Sequence, residues 1–135
     1  MSNWFTYIKE HPEKLWSHSE ISRNPNVTWD IVQDNLDWSW DYSTLGENPN
    51  ITWEHVDTNP DKPWNYNSLS KNPNITWDII QTHPDKLWNH VNLSLNPNIT
   101  WDIVDANPDI QWDYHFLSGN HMSKHSFFNL RYLLK

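Results

Sequence analysis

Asn48-Pro49-Asn50-Ile51-Thr52-Trp53 decides how this chain is read, because the same six residues return at a fixed interval. Asn24 to Trp29 carries Val27 in place of Ile, while Asn72 to Trp77 and Asn96 to Trp101 repeat the motif unchanged, 24 residues apart. Self-similarity at a fixed period marks a stacked repeat architecture, and missing it would miscall every element that follows. A second Trp column stands eleven residues after the first, at Trp40, Trp64, Trp88 and Trp112, and Trp16 joins it from the N-terminal segment. Leu45, Leu69, Leu93 and Leu117 form a third column, with Ile21 ahead of it.

Each unit reads as two short helices. Thr28, Thr52, Thr76 and Thr100 are N-cap candidates, since a threonine hydroxyl can accept from an orphan N–H of the first turn. Val27 and Val32 stand at the two places of a hydrophobic staple, as do Ile51 and Val56, Ile75 and Ile80, and Ile99 and Val104. Asp30, Glu54, Asp78 and Asp102 fall in the first turn, where the helix dipole favours acids. The first helix therefore starts at Trp29, Trp53, Trp77 and Trp101. It ends near Asn35, Asn59, His83 and Asn107, three of which precede a proline that disfavours helical backbone. Asp37, Asp61, Asp85 and Asp109 then predict the caps of a second helix, with Pro63 tolerated in its first turn and the second Trp and the Leu on its body.

Two-turn helices are too short to persist alone in water, so stability has to come from stacking. The expected fold is an all-α solenoid of five units, 1–23, 24–47, 48–71, 72–95 and 96–119, in a single domain spanning 1–135. Its repeat core is Trp16, Trp29, Trp40, Trp53, Trp64, Trp77, Trp88, Trp101 and Trp112 with the Leu column. Residues 120–135 lose the pattern after Asn120 and read as a C-terminal capping helix. With 11 Trp, 5 Tyr and 4 Phe in an apolar fraction of only 36%, the core is expected to be aromatic and Trp-dominated. Only two glycines occur, so Asn is expected to take the turn conformations that Gly usually supplies.

The unit is about ten residues shorter than tetratricopeptide or ankyrin repeats. It resembles the short tandem repeats, Asn-Pro-Asn-Ile-Thr-Trp followed by Pro-Asp-Lys-Pro/Leu-Trp, that abound in proteins of giant DNA viruses infecting amoebae. Asn48 to Trp53 and Asn59-Pro60-Asp61-Lys62-Pro63-Trp64 carry the resemblance, which covers residues 3 to 120. Departures are Leu36-Asp37-Trp38-Ser39, His55 and the tail. The resemblance implies a viral origin and a repeat fold; it implies no chemistry.

A formal charge of −8 speaks against nucleic acid, whose binding rests on clustered Lys and Arg. All 17 acids lie in residues 1–113, whereas 114–135 hold Lys124, Arg131 and Lys135 and no acid. The absence of Cys removes disulfides, thiolate metal sites and cysteine nucleophiles. No leader pattern and no membrane-length apolar run is present, which predicts a soluble intracellular protein with no membrane partner.

Candidate chemistry mostly dissolves into the repeat. Asn26, Asn50, Asn74 and Asn98 open glycosylation-like triplets, yet each is better read as a turn residue followed by a capping Thr. The acidic columns could attract a basic partner or a cation, but serve first as caps and dipole partners. His18 and His90 share a column with Tyr42, Tyr66 and Tyr114; His11 and His83 share one with Asn. His121 and His125 have helix-like ligand spacing near the C-terminus, though Ser123 as a cap would leave His121 outside the helix. No nucleophile stands beside an oriented base, so the chain is expected to be non-catalytic and to need no cofactor.

The tail is the sharpest functional signal. Phe127, Leu130 and Leu134 would cap the last unit, leaving Phe128, Tyr132 and Leu133 on the same helix, and Trp4, Phe5, Tyr7 and Ile8 exceed what one neighbouring unit covers. Both ends therefore predict a protein-binding scaffold that self-associates, most simply as a homodimer.

Overall fold

The protein is described by a computed structural model over residues 3–120, and among these residues it is all-helical, with ten short helices at regular spacing. They are α1 (Asn3–Glu10), α2 (His18–Ser22), α3 (Trp29–Asp34), α4 (Tyr42–Leu45), α5 (Trp53–Asp57), α6 (Tyr66–Leu69), α7 (Trp77–Thr82), α8 (His90–Leu93), α9 (Trp101–Ala106) and α10 (Tyr114–Gly119). Each unit contributes one odd and one even helix in turn, giving the repeat helical solenoid that the period demands. The C-terminal helix expected over 120–135 lies outside the described residues, apart from Asn120.

The odd helices start where threonine caps them. Thr28 Oγ1 accepts from Ile31 N (3.3 Å), and Thr52, Thr76 and Thr100 do the same for His55, Ile79 and Ile103. The even helices start four residues later than Asp37, Asp61, Asp85 and Asp109 predict. Their caps are Ser17, Asp41, Asn65, Asn89 and Asp113. The four aspartates sit instead in tight turns, where Lys62 N donates to Asn59 O, Lys86 N to His83 O and Ile110 N to Asn107 O. Pro at the second and Asp at the third position suit such a turn. Trp64 N then donates to Lys62 O (2.8 Å), closing a three-residue turn around Pro63 whose fixed φ matches it. Trp40, Trp64, Trp88 and Trp112 consequently stand on the extended link before the second helix rather than on that helix, which shrinks to four to six residues.

The link is held by the ring itself. Indole Nε1 donates to the carbonyl five residues back in every unit: Trp16 to His11, Trp40 to Asn35, Trp64 to Asn59, Trp88 to His83 and Trp112 to Asn107, at 2.8–3.0 Å. An unsatisfied carbonyl at a helix end is thereby paired by a side chain.

The most completely buried part is the turn. Val27, Ile51, Ile75 and Ile99 have no exposed surface, and neither do Leu45, Leu69, Leu93, Asn48, Asn72 or Asn96. A buried amide must be hydrogen-bonded, and these reach into the preceding unit. Asn72 Nδ2 shares its hydrogens among Gly46 O (2.8 Å), Asn48 O and Ile51 O (3.2 Å each), while its Oδ1 accepts from Asn74 N (2.7 Å). Asn96 repeats the pattern on Ser70 O, Asn72 O and Ile75 O. The second asparagine adds a parallel ladder, Asn74 Nδ2 to Pro49 O and Ile51 O, and Asn98 Nδ2 to Pro73 O and Ile75 O. Asparagine is thus needed for its amide, which no glycine could supply.

A serine rung runs beside this spine. Ser22, Ser70 and Ser94 Oγ accept from the N–H of Asp41, Asn89 and Asp113, the caps of the next unit, each at 2.9 Å. Gly46 occupies the same column between Ser22 and Ser70 and brings no hydroxyl.

The expected Trp-dominated core needs correction. Only Trp40 and Trp112 are buried; Trp16, Trp29, Trp53, Trp64, Trp77 and Trp88 are half-buried and Trp101 is 36% exposed. An indole is too large to fit between units stacked as closely as the asparagine bonds require, so aliphatic side chains take the interior and the rings flank it.

Candidate interaction face

One face of the array carries the same groove several times. Between the third and fourth units it is lined by Val56, Asp57, Pro60 and Tyr66 from one unit and Asp85, Lys86 and Leu87 from the next, with Trp53 at its wall. The corresponding places between the first and second units hold Ile8, Lys9, Pro12 and His18, then Asp37 and Trp38. In the fourth unit they hold Ile80, Gln81, Pro84 and His90, beside Trp77 and Trp88. The tight turn and the extended link create the groove at these places, since they separate the end of one helix from the start of the next.

Its chemistry combines apolar ridges with acids. Leu87 is 83% exposed and Leu15, in the same column three units earlier, is fully exposed. Asp61 and Asp85 contact only the neighbouring Lys62 (3.8 Å) and Lys86 (3.6 Å), and such exposed pairs contribute about 0–1 kcal/mol. Tyr42 and Tyr66 stand edge-on against Trp64 and Trp88 of the following unit, with ring centres 5.2 and 5.1 Å apart, and burial pushes both phenols above their usual range. At the first groove the sequence departs from the repeat: Trp38 replaces the lysine column, stacks on His18 (4.2 Å) and meets Phe5 edge-on (5.4 Å). The Leu36-to-Ser39 irregularity therefore builds a local aromatic cluster.

The histidines have structural tasks. His83 Nδ1 donates to Ile79 O (2.9 Å), as Asn35, Asn59 and Asn107 amides do at the same place in other units. His18 Nδ1 donates to Ser39 O (2.9 Å), and His11 contacts Glu13 (3.1 Å), whose carboxyl is held low by its own backbone N–H and then by His11. His55 Nδ1 accepts from Thr52 N (3.0 Å) and stacks on Trp29 (4.8 Å); burial holds its pKa below the usual imidazole value. Among the described residues no three His, Asp or Glu side chains are grouped to hold a metal ion. His121 and His125 lie outside the described residues, as do Phe127, Phe128, Leu130, Tyr132, Leu133 and Leu134.

Three of the four glycosylation-like asparagines, Asn50, Asn74 and Asn98, commit their amide nitrogen to the ladder, so a glycan there would displace bonds between units. At the N-terminal end the expected surplus of apolar surface is mostly absent. Phe5 and Ile8 are each 3% exposed, Phe5 lies stacked on Trp40 (5.2 Å), and Tyr7 packs on His11 (4.1 Å) and Trp16 (6.3 Å) while remaining 47% exposed. No described helix is long and apolar enough to cross a membrane.

No family model, curated protein or solved structure matches this chain.

Proposed function

We propose that the array is a non-catalytic scaffold for protein recognition, and that its partner is an extended polypeptide bearing basic and aliphatic residues. The observation that supports this reading is the recurrent groove, which sets exposed Leu87 beside the Asp85 carboxylate and Ile8 and Trp38 beside that of Asp37, on a chain of net charge −8. Apolar anchors seated among charges give recognition surfaces their affinity and their partner choice. A rigid repeat face presents such anchors at fixed intervals without ordering cost. The resemblance of the repeat adds a setting, the cell infected by a giant virus.

The test is selection from a displayed random-peptide library, followed by calorimetry on the peptides recovered. Sequences pairing Lys or Arg with Leu or aromatic residues are expected, and Leu87→Asp, on a side chain too exposed to matter for folding, should weaken their binding about tenfold or more. Recovery of no sequence, or binding indifferent to Leu87→Asp, would remove the proposal. Selective binding of free sugars or small aromatics with Trp fluorescence changes would replace it by a small-ligand module.

A further inference from the structure

Six Lys and Arg lie among the described residues of this acidic chain, and four of them stand beside a carboxylate. Arg23 reaches Glu20 (3.9 Å), Lys62 reaches Asp61 (3.8 Å), Lys71 reaches Glu47 (3.5 Å) and Lys86 reaches Asp85 (3.6 Å). Lys9 and Lys14 form no ion pair among the described residues, and both line the first groove, with His18 alongside.

The repeat explains why these two are left over. Lys14 shares the column of Lys62 and Lys86, which lean on the aspartate just before them, whereas its own predecessor, Glu13, is turned to His11 (3.1 Å). Lys9 stands where the third groove has Asp57, and its Nζ donates to the neutral Asn35 Oδ1 (2.7 Å). In the first groove Asp37 is therefore outnumbered by Lys9 and Lys14, while in the third Lys86 is outnumbered by Asp57 and Asp85. Two grooves built from the same columns carry opposite charge.

We propose that the first groove receives an acidic side chain of the same extended partner whose basic residues lie over the third. This inference rests on the groove being a peptide site and adds the order of charges in the peptide. The stem of a glutamate would lie against Ile8 and Trp38 while its carboxylate meets Lys9 and Lys14. Trp38 stands where Lys86 stands in the third groove, and contacts with His18 (4.2 Å) and Phe5 (5.4 Å) hold its ring in place. The two grooves lie two units apart; packed helices are spaced about 8–10 Å, so the span is roughly 16–20 Å. An extended chain covers it in about five or six residues. A partner with basic residues at both places would set one of them against Lys9 and Lys14, and that like-charge contact disfavours it.

The test is calorimetry with three peptides that share their leucine anchors and differ at two positions about six residues apart. One carries Glu and Lys there, one Lys at both, and one Glu at both. The natural chain should bind the mixed peptide about fivefold or more tighter than either of the others, and the margin should shrink in high salt, which screens exposed charges. Lys9→Glu combined with Lys14→Glu should reverse the order in favour of the Lys–Lys peptide, and Lys14→Glu alone should move the ratio the same way. Both side chains are exposed, and the urea midpoint of each variant checks its fold. Equal binding of the mixed and Lys–Lys peptides, or an order unchanged by the substitutions, would overturn the proposal; if Leu87→Asp still weakens that binding, the groove reading stands. Binding of no peptide, or binding indifferent to Leu87→Asp, would remove both.

Discussion

Along the turn spine Asn72 is sealed from solvent and shares its amide among three carbonyls, whereas on the flank Trp77, in the same unit, keeps part of its ring in water. Trp is the more conspicuous residue in the sequence, and by area alone it would dominate the stability. The structure assigns the two roles differently. A half-buried ring that packs 6.0 Å from Trp112 loses contact area when truncated, and the gap opens to solvent. A buried amide that vanishes takes bonds from several peptide groups at once, and Gly46 O, buried in the stack, is left with none.

The largest effect should therefore come from Asn72→Ala. It orphans Asn74 N and the carbonyl of Gly46 and leaves Asn48 O with Ile51 N alone, and a loss of about 3 kcal/mol is expected in urea unfolding. Trp77→Ala should cost less, about 2 kcal/mol, because only part of the ring's area is removed from water in the native state. A reversed order would mean that the flank, not the spine, holds the units together. Gly46→Ser tests the spine from the other side. Its backbone is ordinary right-handed helix (φ −62°, ψ −18°), and an added Cβ would meet Leu69 and Ser68 at no less than 3.4 Å. The new hydroxyl would face Asn65 N as Ser22 faces Asp41 N, and a gain of about 1 kcal/mol in stability is expected.

The smallest effect concerns pH. Burial lowers the His55 pKa in the folded chain, so between that value and the ordinary one near 6.5 the unfolded state binds more protons. The stability that neutral His55 contributes is complete above about pH 6.5 and falls as pH drops through the folded pKa. Urea midpoints at pH 7.5 and pH 5 should thus differ more for the natural chain than for His55→Ile, which restores the residue found at Ile31, Ile79 and Ile103.

Much of the odd helices is legible because their signals are local. Thr52 and the Ile51/Val56 staple act within one turn, and their spacing states the whole geometry. The even helices are read four residues early because Asp61 satisfies the capping rule in composition while Asn59-Pro60-Asp61-Lys62 satisfies the turn rule in order. The better column was present: Ser17, Asp41, Asn65, Asn89 and Asp113 are all cap formers, whereas the earlier one begins with Glu13. The asparagine ladder escapes a local reading altogether, since its bonds span 21 to 26 residues. A signal for it does exist in Asn120, which persists after Pro and Thr have gone, as expected of a residue whose task lies in the unit before it. The groove becomes visible only once the proline turn and the extended Trp link are seen to part the helices.

In the spine all the donors belong to the later unit: Asn48, Asn72, Asn96 and Asn120 donate backwards, and so do the N–H groups that serine accepts. The array therefore has a grammatical direction. A chain leaving the ribosome exposes acceptors first, and each new unit arrives carrying the hydrogens that complete the one already folded, so growth from the N-terminus meets a finished template at every step.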